Sequence, residues 1–149
     1  MAVSGKYLLI DGHSVIYAWP HLRKLHEKDR RAARMQLIDQ LGKFHDISDW
    51  LVTLVFDGQQ GVVEKAQKGK MVVLYAQSHQ TADAIIERLV AKVPDSTQVW
   101  VVTADGGERR MVESLGAISV DPKWLQREIE NETGVWSKEL DKIHLKAKW

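Results

Sequence analysis

Carboxylates dominate the chemistry that this chain of 149 residues can build. It has no cysteine, which removes thiol nucleophiles, disulfides, and cysteine-ligated zinc or iron–sulfur centres. Asp11 directly follows a short apolar run at residues 7–10. Asp57 follows a second at 51–56, and Asp105 closely follows another at 99–103. Asp83 stands two residues after Thr81, in the first turn of a strongly periodic helical pattern, and Glu87 lies one turn further along the same face. Carboxylates gathered within a few ångströms repel one another and raise each other's pKa unless a cation neutralises them. Oxygen donors select a hard divalent ion, Mg²⁺ or Mn²⁺. Such an ion can activate water and neutralise the charge developing on a phosphodiester, so the chemistry in view is metal-assisted phosphoryl hydrolysis.

Each acid also has an ordinary reading. Aspartate is common after strands because turns and helix caps use it. Asp57-Gly58 reads equally as a simple turn, Asp83 as a complement to the helix dipole, and Glu87 as a solvated helix residue. What none of these readings explains is four aspartates falling on one predicted edge.

The elements that place them there form a βα alternation. Apolar, β-branched runs at 7–10, 51–56, 71–75 and 99–103, with a weaker fifth at 117–120, suit strands of a parallel sheet buried on both faces. Helical patterns separate them. Asp29 caps one through Leu37, Ile38, Leu41 and Phe44, which Gly42 makes imperfect. Thr81 opens the clearest, with Ala82, Ile85, Ile86, Leu89, Val90 and Val93 in helical register before Pro94 stops it. A helix over 108–115 ends at Gly116, and Pro122 starts another through Trp124, Leu125 and Ile129. The expected fold is a three-layer α/β/α sandwich with a mainly parallel sheet. Its strands then end in aspartate along the edge where such folds bind ligands. One domain is expected over 1–133, with 134–149 a C-terminal extension forming a short amphipathic helix.

Composition sets the wider limits. The formal net charge of +1 announces neither a basic nucleic-acid binder nor an acidic tail, so any binding field must be local. No apolar run approaches the ~18 residues of a membrane span, and the absence of cysteine agrees with a cytoplasmic location. Phosphate contacts would come from local basic residues. Arg109 and Arg110, which begin the helix after Asp105, are the best placed. A second group comprises Arg23, Lys24, Lys28, Arg30, Arg31 and Arg34, equally readable as a solvated helix face, and a third Lys65, Lys68 and Lys70. Tyr17 and Trp19 have ring faces that could stack a base, although Trp19 before Pro20 reads as packing.

Four ordered blocks carry a resemblance. The segment Leu8-Leu9-Ile10-Asp11-Gly12-His13-Ser14-Val15-Ile16-Tyr17-Ala18-Trp19-Pro20 resembles the opening motif of YacP-like NYN-domain nucleases, within the PIN-like superfamily. Val55-Phe56-Asp57-Gly58, Gln80-Thr81-Ala82-Asp83-Ala84-Ile85-Ile86-Glu87 and Val101-Val102-Thr103-Ala104-Asp105 are similar to its later blocks, in order and spacing. The resemblance implies a Rossmann-like PIN fold and a Mg²⁺- or Mn²⁺-dependent endoribonuclease. RNA is then the partner, with some bacterial relatives acting on mRNA at the ribosome. It also implies Asp11, Asp83 and Asp105 as principal metal ligands, with Asp57 and Glu87 secondary. His13, Ser14 and Thr81 join Arg109 and Arg110 as substrate contacts. The chain departs from the family where His13-Ser14 replaces a common Tyr-Asn, where Gln80 replaces an acid, and at Asp121-Pro122-Lys123. Ser14 keeps a short hydrogen-bonding side chain able to orient Asp11 or cap the following helix.

A PIN-like module that binds RNA or protein without cutting is the alternative. A receiver-type phosphoacceptor pairs acids after its first strand, and a dehalogenase-type phosphatase wants Asp-x-Asp there; Asp11 stands alone. No glycine-rich phosphate loop follows any strand. Oligomeric state is left open.

Overall fold

The computed structural model describes residues 6–58, 65–68, 71–77, 80–95 and 98–147. In chain order these form β1 (Lys6–Asp11), α1 (Gly12–Ala18), α2 (Pro20–Lys28), α3 (Arg30–Ile47), β2 (Trp50–Phe56), β3 (Lys65–Lys68) and β4 (Met71–Tyr75). There follow α4 (Ala82–Lys92), β5 (Val99–Val102), α5 (Gly106–Ser114), β6 (Ile118–Val120) and α6 (Pro122–Ala147). The sheet runs β3-β4-β2-β1-β5-β6. Its five strands β4, β2, β1, β5 and β6 are parallel neighbours, and β3 joins β4 antiparallel at the edge.

Successive strand residues face opposite layers. Leu8 and Ile10 of β1 join Val52, Leu54 and Phe56 of β2 in a core closed by Leu22, Leu37, Leu41, Phe44 and Leu125 from α2, α3 and α6. Leu9, Val55 and Val101 face the other way, against Ile86 and Val90 of α4 and Val112 of α5. Burial on both faces is why these strands read as continuous apolar runs rather than as alternation.

The edge strand β3 escaped the sequence reading because Lys65-Ala66-Gln67-Lys68 has no apolar signal; short, lysine-bearing strands are how sheets blunt an edge. Lys70 lies outside the described residues. The stretch before Asp29 contains two helices. Trp19, preceding Pro20, is extended, which ends α1, and Pro20 then occupies the first turn of α2. Trp19 is packing, as its position before proline indicated: it is 2% exposed and its Nε1–H donates to the Pro122 carbonyl at 3.0 Å.

Helix starts follow their caps. Asp29 accepts from the Ala32 amide, and Thr81 from the Ala84 amide. Gly42 is accommodated inside α3, buried. The helix expected over 108–115 starts at Gly106, because Asp105 itself is its N-cap. It ends in a Schellman motif: Gly116 at φ 97° lets its N–H reach the Glu113 carbonyl while Ala117 N–H reaches that of Val112, both at 3.0 Å. Helix α6 passes through Gly134 unbroken, so residues 134–147 continue the helix that Pro122 begins. Beyond the core its apolar residues Val135, Leu140 and Ile143 are exposed.

Candidate active site

The central strand β1 has β2 on one side and β5 on the other. The chain builds outward through β2 and β4, then returns to build β5 and β6. The reversal leaves a crevice at the carboxyl end of β1, the place where open α/β sheets bind ligands. Asp11 is the last residue of β1, level with Val55 of β2. An open cleft of about 560 Å³ lies above it, lined by Asp11, Ser14, Asp57, Thr81, Asp83 and Asp105, and also by His13 and Tyr17.

Asp11 is 7% exposed and held by hydroxyls. Ser14 Oγ donates to its Oδ2 at 2.8 Å, and Thr103 Oγ1 approaches the same oxygen at 3.4 Å. The Ser14 hydroxyl also accepts the Ala104 amide at 3.1 Å, tying α1 to the loop after β5. Of the two roles open to Ser14, orienting Asp11 is the one its contacts match. Thr103 Oγ1 accepts the Asp105 N–H at 3.1 Å, which sets the turn carrying the next acid. Burial raises the Asp11 pKa above the ordinary carboxylate value, the Ser14 hydrogen bonds oppose that, and the nearby Asp57 charge adds to it.

The other acids are held by helix starts. Asp105 Oδ1 accepts from the Gly107 and Glu108 amides at 2.8 and 3.2 Å. Asp57 Oδ1 accepts the Ala82 amide at 2.8 Å, so this residue caps α4 from the end of β2. Asp57-Gly58 is therefore more than a turn. Gly58 is needed there because a Cβ at that position would overlap the Ala76 carbonyl of the crossing backbone. Asp83 is pushed up to about 6, by burial first and then by the charges of Asp11, Asp105, Asp57 and Glu87. Asp83 thus lies within the field of four other acids.

His13 Nδ1 lies 3.6 Å from Asp57 Oδ2. Burial lowers its pKa despite the pull of Asp57 and Asp11, with His26 and Arg34 pressing it further down. It is a neutral ring at neutral pH. The expected basic contacts are placed differently. Arg109 Nε donates to Ser119 Oγ at 3.2 Å, toward β6, and Arg110 is exposed on α5; neither lines the cleft. The reason is the early start of α5, which carries these residues past the loop and onto the helix body.

Glu87 also lies off the cleft wall, where it hydrogen-bonds to Glu108. Glu108 went unnoticed in the sequence beyond marking a helix boundary. It is 3% exposed, its Oε1 has no partner among the described residues, and its pKa is raised to about 8 by burial, then by Asp83, then by Glu87. The signal was there as Asp-x-x-Glu, the spacing of a capping box. Here the box is half made: Thr103 already takes the Asp105 N–H, so Glu108 turns inward to Glu87 instead of reaching back. Thr103, fully buried, is the second residue that sequence reasoning passed over.

Among the described residues no three acidic or histidine side chains already converge as ligands on one point. The donor set nevertheless suits a hard divalent cation, which keeps several waters and needs only one or two direct carboxylates. Burial raises the pKa of Asp83 first, and the like charges around it add to the rise, so a cation placed there would relieve part of it. Among the described residues no helix is long and apolar enough to cross a membrane.

Known proteins share this fold. The model of the YacP-like NYN domain matches residues 8–149. The uncharacterized protein YacP of Bacillus subtilis (strain 168) is 31% identical over 126 residues, covering 83% of this chain and 74% of that protein. The crystal structure of Rae1 (YacP) from Bacillus subtilis is similar with a TM-score of 0.79 at 29% identity, over 95% of this chain and 83% of that one. A point mutant of that protein gives 0.78, also at 29% identity, over 93% and 82%. A sequence match of this extent, joined to the same sheet and helices, makes the chain a member of the YacP-like NYN domain family, whose domains are generally nucleases and typically use divalent metals.

Proposed function

We propose that this protein is a Mg²⁺- or Mn²⁺-dependent endoribonuclease of the cytoplasm. The observation that carries the proposal is the meeting of Asp11, Asp57, Asp83 and Asp105 on one open cleft, with Asp83 raised to about 6 by burial and then by the acids around it. Asp11, Asp83 and Asp105 would hold the cation, with Asp57 completing the set through water and Glu87 supporting from behind. When bound, the ion supplies Lewis acidity and a water of lowered pKa. The chain's own residues do the positioning. Ser14 and Thr103 aim Asp11, the amides of Gly107 and Glu108 hold Asp105, and the Ala82 amide holds Asp57. Thr81, on the cleft wall, and the neutral His13 offer polar contact to the substrate without adding charge.

Direct hydrolysis needs no nucleophilic side chain, in keeping with a cleft that offers acids, a neutral histidine and a serine hydroxyl already engaged with Asp11. RNA is the substrate, with mRNA at the ribosome the extension that the family suggests. Purified protein incubated with labelled RNA in Mn²⁺, Mg²⁺ or EDTA, beside Asp11→Asn and Asp105→Asn, tests the proposal. Cleavage leaving 5′-phosphate and 3′-hydroxyl ends, lost in EDTA and in both variants, is expected. Metal-independent cleavage, or variants as active as the parent, overturns it. RNA bound but never cut points to the non-catalytic binder.

A further inference from the structure

Part of the cleft lining is aromatic. His13 and Tyr17 stand one turn apart on α1, and both line the cleft. Tyr17 is 53% exposed, the one aromatic among the large hydrophobic side chains left exposed in the described residues. Its ring is fixed on two sides. It lies stacked on His13 with centroids 6.2 Å apart at 29°, and His26 from α2 meets it edge-on at 5.2 Å. His13 in turn packs edge-to-face on the buried Phe56, 5.9 Å away, which anchors the assembly to the core. Trp19, two residues on, shows what a packing aromatic on this segment looks like: buried, with its N–H satisfied.

An acidic floor repels a polyanion, so a substrate strand needs an uncharged grip beside it. An exposed aromatic ring supplies one, since every nucleobase has a π-face. Arg34, close enough to lower the pKa of His13, adds positive charge nearby. A base inside a duplex is already stacked on both faces, so a single exposed ring can take only an unpaired or splayed base.

We propose that Tyr17, backed by His13 and His26, is a stacking platform for one unpaired nucleobase next to the phosphate under attack. The inference rests on the ribonuclease reading and names a specificity residue for it.

The test uses single-stranded RNAs carrying 2-aminopurine at successive positions, in Mg²⁺, with an Asp105→Asn background to stop turnover. One position should lose fluorescence on binding. Tyr17→Phe should keep that quench, whereas Tyr17→Ala should lose it and bind about tenfold more weakly. With Asp105 intact, Tyr17→Ala should raise KM about tenfold on single strands and leave the Mg²⁺-induced rise in Tm unchanged. Wild-type affinity and quenching in Tyr17→Ala, or equal affinity for a duplex of the same sequence, overturns the platform while leaving nuclease activity standing. Tyr17-dependent quenching without cleavage in the parent enzyme supports the platform and removes the nuclease reading. Absence of RNA binding overturns both.

Discussion

Ser14 Oγ donates to Asp11 Oδ2 at 2.8 Å while accepting the Ala104 amide at 3.1 Å, so one hydroxyl links the acid at the end of β1 to the loop after β5. That loop carries Asp105, whose N–H is bound by Thr103, and Thr103 also reaches Asp11. Two acids, one ending β1 and the other in the loop after its neighbour β5, are thereby set relative to each other by two hydroxyl side chains.

Ser14→Ala should lower kcat roughly tenfold with little change in KM for RNA, since a hydrogen bond to a charged group is worth about 1.5 kcal/mol at the low end. Steady-state kinetics on a defined RNA checks this. An unchanged kcat would show that Asp11 needs no orientation.

Cation binding should stabilise the fold in a pH-dependent way. Asp83, raised to about 6, must lose its proton to hold an ion, so the stabilisation should be small at pH 5 and full above pH 7. Without metal the sign is reversed: a carboxyl whose folded pKa lies above its unfolded value removes stability as pH rises through that interval. Saturating Mn²⁺ or Mg²⁺ at about 100 times Kd contributes ~2.7 kcal/mol, or ~5 to 10 °C in Tm for a domain of this size. Asp83→Asn should raise the metal-free Tm at pH 7.5 and remove most of the metal response. A lower metal-free Tm in the variant contradicts the repulsion.

Glu108 is protonated at neutral pH, with its pKa raised to about 8. The amide in Glu108→Gln is therefore close to the native neutral group. Between the unfolded carboxyl value and about 8 the native state holds the extra proton, so parent stability declines as pH rises across that window. In EDTA the variant should match the parent near pH 5 and melt higher at pH 8.5. Parallel Tm curves from pH 5 to 9 would refute it.

Gly58→Ala should cost more than ~3 kcal/mol, because the added methyl meets the Ala76 carbonyl rather than a movable side chain. Thermal melts should show a large loss, and activity should fall with it, since Gly58 follows Asp57 and the Asp57 carboxylate caps α4. Near-parent stability would mean that the two backbones separate easily.

Asp11, Asp57, Asp83 and Asp105 were legible in the sequence because local signals mark them: three follow apolar runs, and one sits in the first turn of a helix with a threonine cap. The strands of the parallel sheet and the caps at Asp29 and Thr81 were legible for the same reason, since burial on both faces and backbone capping leave their trace within a few residues. The edge strand β3 left none, having no apolar run, and the boundary expected at Gly134 lies within α6 because a single exposed glycine costs a long helix only about 1 kcal/mol.

Sequence alone determined which acids the chain can bring to the carboxyl edge of its sheet and the family it resembles. Tertiary structure decided what each acid is bound to and which neighbours serve the site. Thr103 and Glu108 matter through contacts across strands and helices, Arg109 leaves the cleft because α5 begins at Gly106, and Tyr17 is exposed beside a buried Trp19. Local spacing sets an element and its caps; the direction in which a side chain leaves that element, and the partner it meets, follow only from packing the layers together.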